Sequence, residues 1–215
     1  MGGKSEFDWH SLLPAYLLDY QKERLSRALG QFQGSDSENT EIDYSDFYLF
    51  NPPQTLLQGD LMLSVPRPIW NIERQIFETF FSRGLLISNS CDVALDNKRT
   101  IQKDAVFAPI IPLSEFEKDL IEKDFNRQKI ESIFKQLKNQ LYSNILYLPS
   151  PERAHNGFIV YLDQLFSLPN EEIVFLQKDL TKHRYQTLDN FGSYLMIVKL
   201  SFHFCRVPEE VERRS

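Results

Sequence analysis

The stretch Arg83-Gly84-Leu85-Leu86-Ile87-Ser88-Asn89-Ser90-Cys91-Asp92 carries the decision about the fold. A short apolar run opened by Gly and closed by a Ser/Asn/Asp turn predicts a buried strand ending at a polar bend. Similar runs flank it. On one side, Gly59-Asp60 leads into Leu61-Met62-Leu63-Ser64-Val65, which the sequence closes at Pro66. On the other, Ala105-Val106-Phe107-Ala108 closes at Pro109. Between the first two runs, Ile69 to Phe81 is aromatic and mixed, and reads as a strand plus a short helix. Asp92 to Asp104 reads as a charged loop.

Helical patterns lie farther out. Leu18, Leu25, Ala28, Leu29 and Phe32 recur at helical spacing before an acidic, polar segment, Gly34 to Asp46, that reads as a linker. Ser114 and Glu117 have capping-box spacing. They precede a long amphipathic pattern through Leu120, Ile130, Ile133, Leu137 and Leu141, with a bend expected near Asn126. Asn144 to Leu148 and Gly157 to Leu162 predict two more strands, and Asn170 opens a helix carrying Ile173, Leu176 and Leu180. Phe191 to Phe204 is apolar nearly all round, and its length favours a helix over a strand. Strands and helices come in blocks, so the expectation is α+β: a small antiparallel β-barrel or sheet with several packed helices. The expected organisation is a helical arm over 1–33, an acidic linker over 34–46 and an α+β domain over 47–215.

Composition narrows the function classes. The 215 residues are 42% hydrophobic with 17 Phe, enough for a large core, and carry a formal net charge of -6. That charge argues against a broad polyanion-binding surface. Two basic clusters remain: Lys98, Arg99 and Lys103, which could grip RNA phosphates, and Lys178, Lys182, His183 and Arg184. Two cysteines, Cys91 and Cys205, give no disulfide framework, and no apolar run is long enough to span a bilayer. A cytoplasmic protein without a membrane partner is expected. His and Cys lack paired metal-ligand spacing, and there is no phosphate-cradling glycine loop, so neither a metal nor a nucleotide cofactor is expected.

Cys91 beside Asp92 is the first candidate for chemistry. A thiolate nucleophile needs a base or a positive field, and His155, His183 and His203 are all distant in sequence. The alternative is a small buried hydrophobe at a strand end, with Asp92 accepting backbone N–H bonds in the turn. Both readings stay open.

Gly59-Asp60, Arg83-Gly84-Leu85-Leu86-Ile87-Ser88 and Val106-Phe107-Ala108-Pro109-Ile110 resemble the strands of the PemK/MazF type of small, SH3-like β-barrel. The Ser-Asn-Ser-Cys-Asp turn is similar to Ser-Gln-Ser-Cys-Asp-like turns of uncharacterised prokaryotic proteins. The resemblance spans roughly Gly59 to Pro112. It implies an endoribonuclease toxin in which Arg83 stabilises the charged phosphorane formed by 2′-hydroxyl attack. Where that family carries a hydroxyl after the third strand this chain has Ile111, and Gly84 replaces the usual Pro. Three functions are therefore carried forward. The first is an accessory or regulatory interaction subunit of a prokaryotic multi-protein system, of the phage-defence or toxin–antitoxin kind, with protein partners and room for a homo-oligomer. The second is the ribonuclease, with RNA as partner. The third is a cysteine-dependent hydrolase.

Overall fold

The computed structural model describes residues 17–32, 42–96, 104–152 and 157–205. Along the chain these form α1 (Asp19–Phe32), β1 (Asp60–Asn71), β2 (Ile76–Leu86), α2 (Ser90–Val93), β3 (Ala105–Pro112), α3 (Leu113–Glu122) and α4 (Arg127–Lys138). They continue with β4 (Ile145–Leu148), β5 (Phe158–Tyr161), β6 (Phe166–Leu168), α5 (Asn170–Lys178), α6 (Leu180–His183), β7 (Arg184–Thr187) and α7 (Asn190–Cys205). The fold is α+β around one antiparallel sheet. Its order is β4-β5-β3-β2-β1-β7, with β6 paired to β3. The sheet is open, with β4 and β7 at its two ends.

Alternation along the strands builds a core on each face. Leu61 pairs with Leu85, and Leu85 with Ala108. These side chains share one face with Leu146, Leu148 and Val160, where Phe191, Leu195 and Met196 of α7 cover them. Leu25 of α1 joins that core. The next residues along, Met62, Leu86 and Phe107, point the other way and meet Ile173, Leu176 and Leu180 of α5 and α6. At the β4–β5 end, Ile145, Tyr147 and Ile159 pack with Leu113 and Leu137 of α3 and α4.

Four local expectations need correction. Ser114 does not cap its helix: α3 starts at Leu113, and Pro112 holds the cap position without a side-chain bond. The long helical pattern is two helices, broken where Asp124 takes φ 60° and Asn126 caps α4 by accepting from the Lys129 N–H at 2.9 Å. Short β6 and β7 add two strands. The largest change concerns Pro66: β1 runs through it and through Pro68 to Asn71, and Ile69 to Phe81 is strand, turn and strand with no helix. Proline was expected to end the strand because it lacks an N–H. Here β7 pairs only with Asp60 to Met62, so beyond Met62 β1 has an open edge where no donor is required.

α1 is fastened to the body by Arg24. Its guanidinium lies 4.1 Å from the Phe191 ring centroid and donates to the carbonyls of Asp43 and Ser45, both at 2.6 Å. A buried arginine with one face on a ring and its N–H groups on two carbonyls acts as a spacer between helix, connecting segment and α7.

Candidate functional site

The Ser88-to-Asp92 turn is held by three side chains. Ser88 Oγ accepts from the Val106 N–H at 2.8 Å, joining the end of β2 to β3. Ser90 Oγ accepts from the Gln58 N–H at 2.9 Å, and Gln58 Nε2 donates to the Ile87 carbonyl at 2.7 Å. Asn89 caps the single-turn α2 by accepting from the Cys91 N–H at 2.9 Å. The serines therefore replace strand and turn bonds where the ladder runs out. Cys91 is exposed, contrary to a buried-hydrophobe reading, and the buried apolar anchor of the turn is Val93.

Arg83 lies elsewhere. Four residues of extended chain separate it from Ile87, on the order of 13 Å, so the structure does not bring Arg83 together with Cys91 and Asp92. It borders a cleft of about 390 Å³ formed where β3 leaves β2. The two strands pair only at Gly84 to Leu86, and past that point Phe81, Ser82 and Arg83 face Pro109, Ile110 and Ile111 across the gap. Arg83 NH1 is 3.7 Å from Glu115 Oε1, an exposed pair of small energetic weight. Arg67 also lines the cleft, and Ser82 Oγ is buried in its wall without a hydrogen-bond partner among the described residues. Lys98, Arg99, Lys103 and His155 lie outside the described residues.

Arg184 of the second basic cluster is a structural residue. Its guanidinium lies 3.5 Å from Asp60 Oδ2 and donates to the carbonyls of Pro53 and Thr55. Asp60 is fully buried, accepting from Thr187 Oγ1 at 2.5 Å and from the Leu57 N–H at 2.9 Å. Burial raises its pKa, against the pull of Thr187, Leu57 and Arg184. The Gly59-Asp60 pair is thus a hinge pin: Gly59 at φ 90° turns the chain, and Asp60 ties the turn to β7. Lys199 of α7 is a second hidden charge, 1% exposed and donating to the Gln140 carbonyl. Desolvation lowers its pKa to about 7.

The feature that the sequence reading missed is the distal half of β1 and β2. Among the described residues, the two strands from Pro66 to Phe81 pair only with each other, joined by a turn in which Asn71 Oδ1 accepts from the Arg74 N–H at 3.0 Å. Directly opposed residues share a face. Pro66 with Phe81, Pro68 with Thr79 and Trp70 with Phe77 therefore make one face apolar except for a single hydroxyl. Trp70 and Phe77 stack edge to face at 5.0 Å. Arg67, on the opposite face, holds the root of the ribbon by donating to Gln164 Oε1 at 2.9 Å and lying over Phe166. Trp70, Phe77 and Phe81 are 48, 70 and 74% exposed. The usable signal was the β-rich composition on both sides of Ile72 to Gln75, masked by the prolines.

No family model matches the chain, and no curated protein matches it.

Proposed function

We propose that this protein is an accessory or regulatory interaction subunit of a prokaryotic multi-protein system, of the phage-defence or toxin–antitoxin kind, and that it joins its assembly through the β1–β2 ribbon. One observation carries the reading: a two-stranded arm presents Trp70, Phe77 and Phe81 to solvent along one face, with Ile72 at its turn and Phe80 exposed on the other face. Apolar patches of this kind on a protein surface mark interaction sites. An isolated hairpin of this length is at best marginally stable, so the arm gains from being covered.

The test is to replace Pro68 to Thr79 by an Asn-Gly turn, which closes the ribbon at the Arg67–Phe80 pair. The shortened protein should keep its circular dichroism and melting behaviour but lose the proteins that co-purify stoichiometrically with the wild type from its native host. Unchanged retention, or a wild type that retains none, overturns the reading.

A ribonuclease of the PemK/MazF type is the second reading, and Arg83 and Arg67 at one open cleft support it. The facing wall offers Ile110, Ile111 and Glu115, with no hydroxyl at the position where the family carries one. RNA cleavage or growth arrest that survives Arg83→Ala removes this reading.

A further inference from the structure

We propose that the free edge of β2 pairs with β2 of a second copy of this chain, in antiparallel register centred on Thr79; this rests on the arm being the interaction element. The two edges of the arm are not equivalent. Pro66 and Pro68 have the same parity in β1, so both missing donors fall on one side. Their partners are Phe81 and Thr79. Because proline offers no N–H to a partner strand, these positions fit the non-hydrogen-bonded pairs of the ladder. By alternation, Phe77, Thr79 and Phe81 then aim their own N–H and C=O groups away from β1, out of the far edge of β2. β3 has already left β2 at Gly84, so among the described residues no strand lies beside that edge. One edge of the arm lacks two donors, at Pro66 and Pro68, and the other displays an unbroken row of backbone groups.

A second copy fits that row. Centring the pair on Thr79 sets Phe77 opposite Phe81 twice, so the aromatic face of one arm continues into the other. The same two-fold carries the turn of each arm to the cleft of its partner. The turn holds Glu73, and Arg74, which is already bound to Glu78 at 3.0 Å; the cleft holds Arg83 and Glu115, 42% and 59% exposed at their side chains, so the complementary charges are Glu73 and the partner's Arg83. Ile72 at the turn is 80% exposed, and Ser82 Oγ in the cleft wall has no partner among the described residues. With roughly 150–250 Å² per aromatic side chain, the exposed parts of Trp70, Phe77 and Phe81 come to about 400 Å² per arm, and pairing joins the two faces into one continuous apolar surface. The net charge of -6 speaks against an anionic membrane as the occupant.

Light scattering on size-exclusion fractions should show the mass of two chains as concentration rises through the micromolar range. In a Trp9→Phe background Trp70 is the sole tryptophan; it lies on β1, away from the β2 seam, so its emission should hold steady over the same range. Thr79→Pro deletes an outward N–H and spares the bonds to β1, so it should give a monomer with wild-type circular dichroism. Glu73→Arg should weaken pairing about ten-fold or more, and Arg83→Glu in the same chain should restore it. A wild type that stays monomeric at high micromolar concentration overturns the proposal, as does a Thr79→Pro protein that still dimerises. A monomer that holds another protein through the arm, or whose Trp70 emission shifts on phosphatidylcholine vesicles, also refutes the second copy; the former outcome leaves the interaction-subunit reading intact.

Discussion

At its sheet end the β1–β2 ribbon buries Leu61, Met62, Leu85 and Leu86 to 2% exposure or less, while at its turn end Phe77 and Ile72 are 70 and 80% exposed. The two ends lie on the same strands and are about equally apolar. They differ in their neighbours. The sheet end has β7 on one edge, β3 on the other and helices on both faces, whereas among the described residues the turn end has none of these beyond the Arg67 tether. Hydrophobic residues are thus spent on a core in one half and left on display in the other, and only the second half needs an explanation outside the single chain.

Breaking the sheet end should have the largest effect. Asp60→Ala removes the carboxylate that Thr187, Leu57 and Arg184 share, and leaves Arg184 buried without it. A loss of about 3–5 kcal/mol in urea unfolding is expected; a loss below about 1 kcal/mol would show that Arg184 finds water instead.

A second probe is pH, because the body beneath the sheet hides Lys199. Its pKa falls from 10.5 to about 7 on folding. Between those values the unfolded chain binds the extra proton, so stability rises as pH increases from about 7 toward 10, by at most about 1.4 kcal/mol per pH unit. Below pH 7 both states carry the proton and the full penalty remains. Above about pH 10 the trend reverses. Burial there keeps Tyr44 and Tyr48 protonated in the fold, and pushes Tyr147 up to about 12, while the unfolded tyrosines ionise. Lys199→Met should flatten the 7–10 limb and leave the alkaline fall; identical profiles would contradict the shift.

Gly84→Val tests packing where the ribbon enters the sheet. A Cβ at Gly84 would lie 3.2 Å from Val65 Cγ2 and 3.3 Å from Phe107 Cδ1, so the added methyls should cost about 1–3 kcal/mol in thermal or urea unfolding. The smallest effects belong to the far end. Phe77→Ser and Arg83→Ala should each change the stability of the single chain by no more than about 0.5 kcal/mol. A large loss from Phe77→Ser would mean that the arm is folded onto something within its own chain, and the contrast between the two ends would disappear.

Much of the sheet was legible because buried strands announce themselves as apolar runs between turn residues. Leu61 to Val65, Leu85 to Ser88, Ala105 to Ala108 and the runs before Leu148 and Leu162 are all close to observed strands or their ends. α7 was legible from length. The arm was not, because proline is a stop signal only where a donor is required, and a sequence does not say which edge of a strand is open. β7 was hidden for a related reason. Arg184 reads as surface charge until Asp60, more than a hundred residues earlier, is brought beside it. Among the candidate site residues, the turn from Ser88 to Asp92 was correctly placed at a strand end, but its serines serve the backbone. Arg83 lies at a cleft that exists only because β3 diverges after three paired residues, a matter of register that no local pattern encodes.

Pro66 and Pro68 have one more consequence. A ribbon with two live edges is a seed for endless growth, since each added copy presents a fresh edge to the next. Here one side of the ribbon lacks two of its outward donors, so it is a poor template. Any strand added at β2 uses up the remaining side, and if the addition is another copy of the chain, both copies are then spent. Two prolines, placed two residues apart, thus act as chain terminators in the polymer sense, and allow an aromatic-rich arm to stand in solution without seeding a fibre.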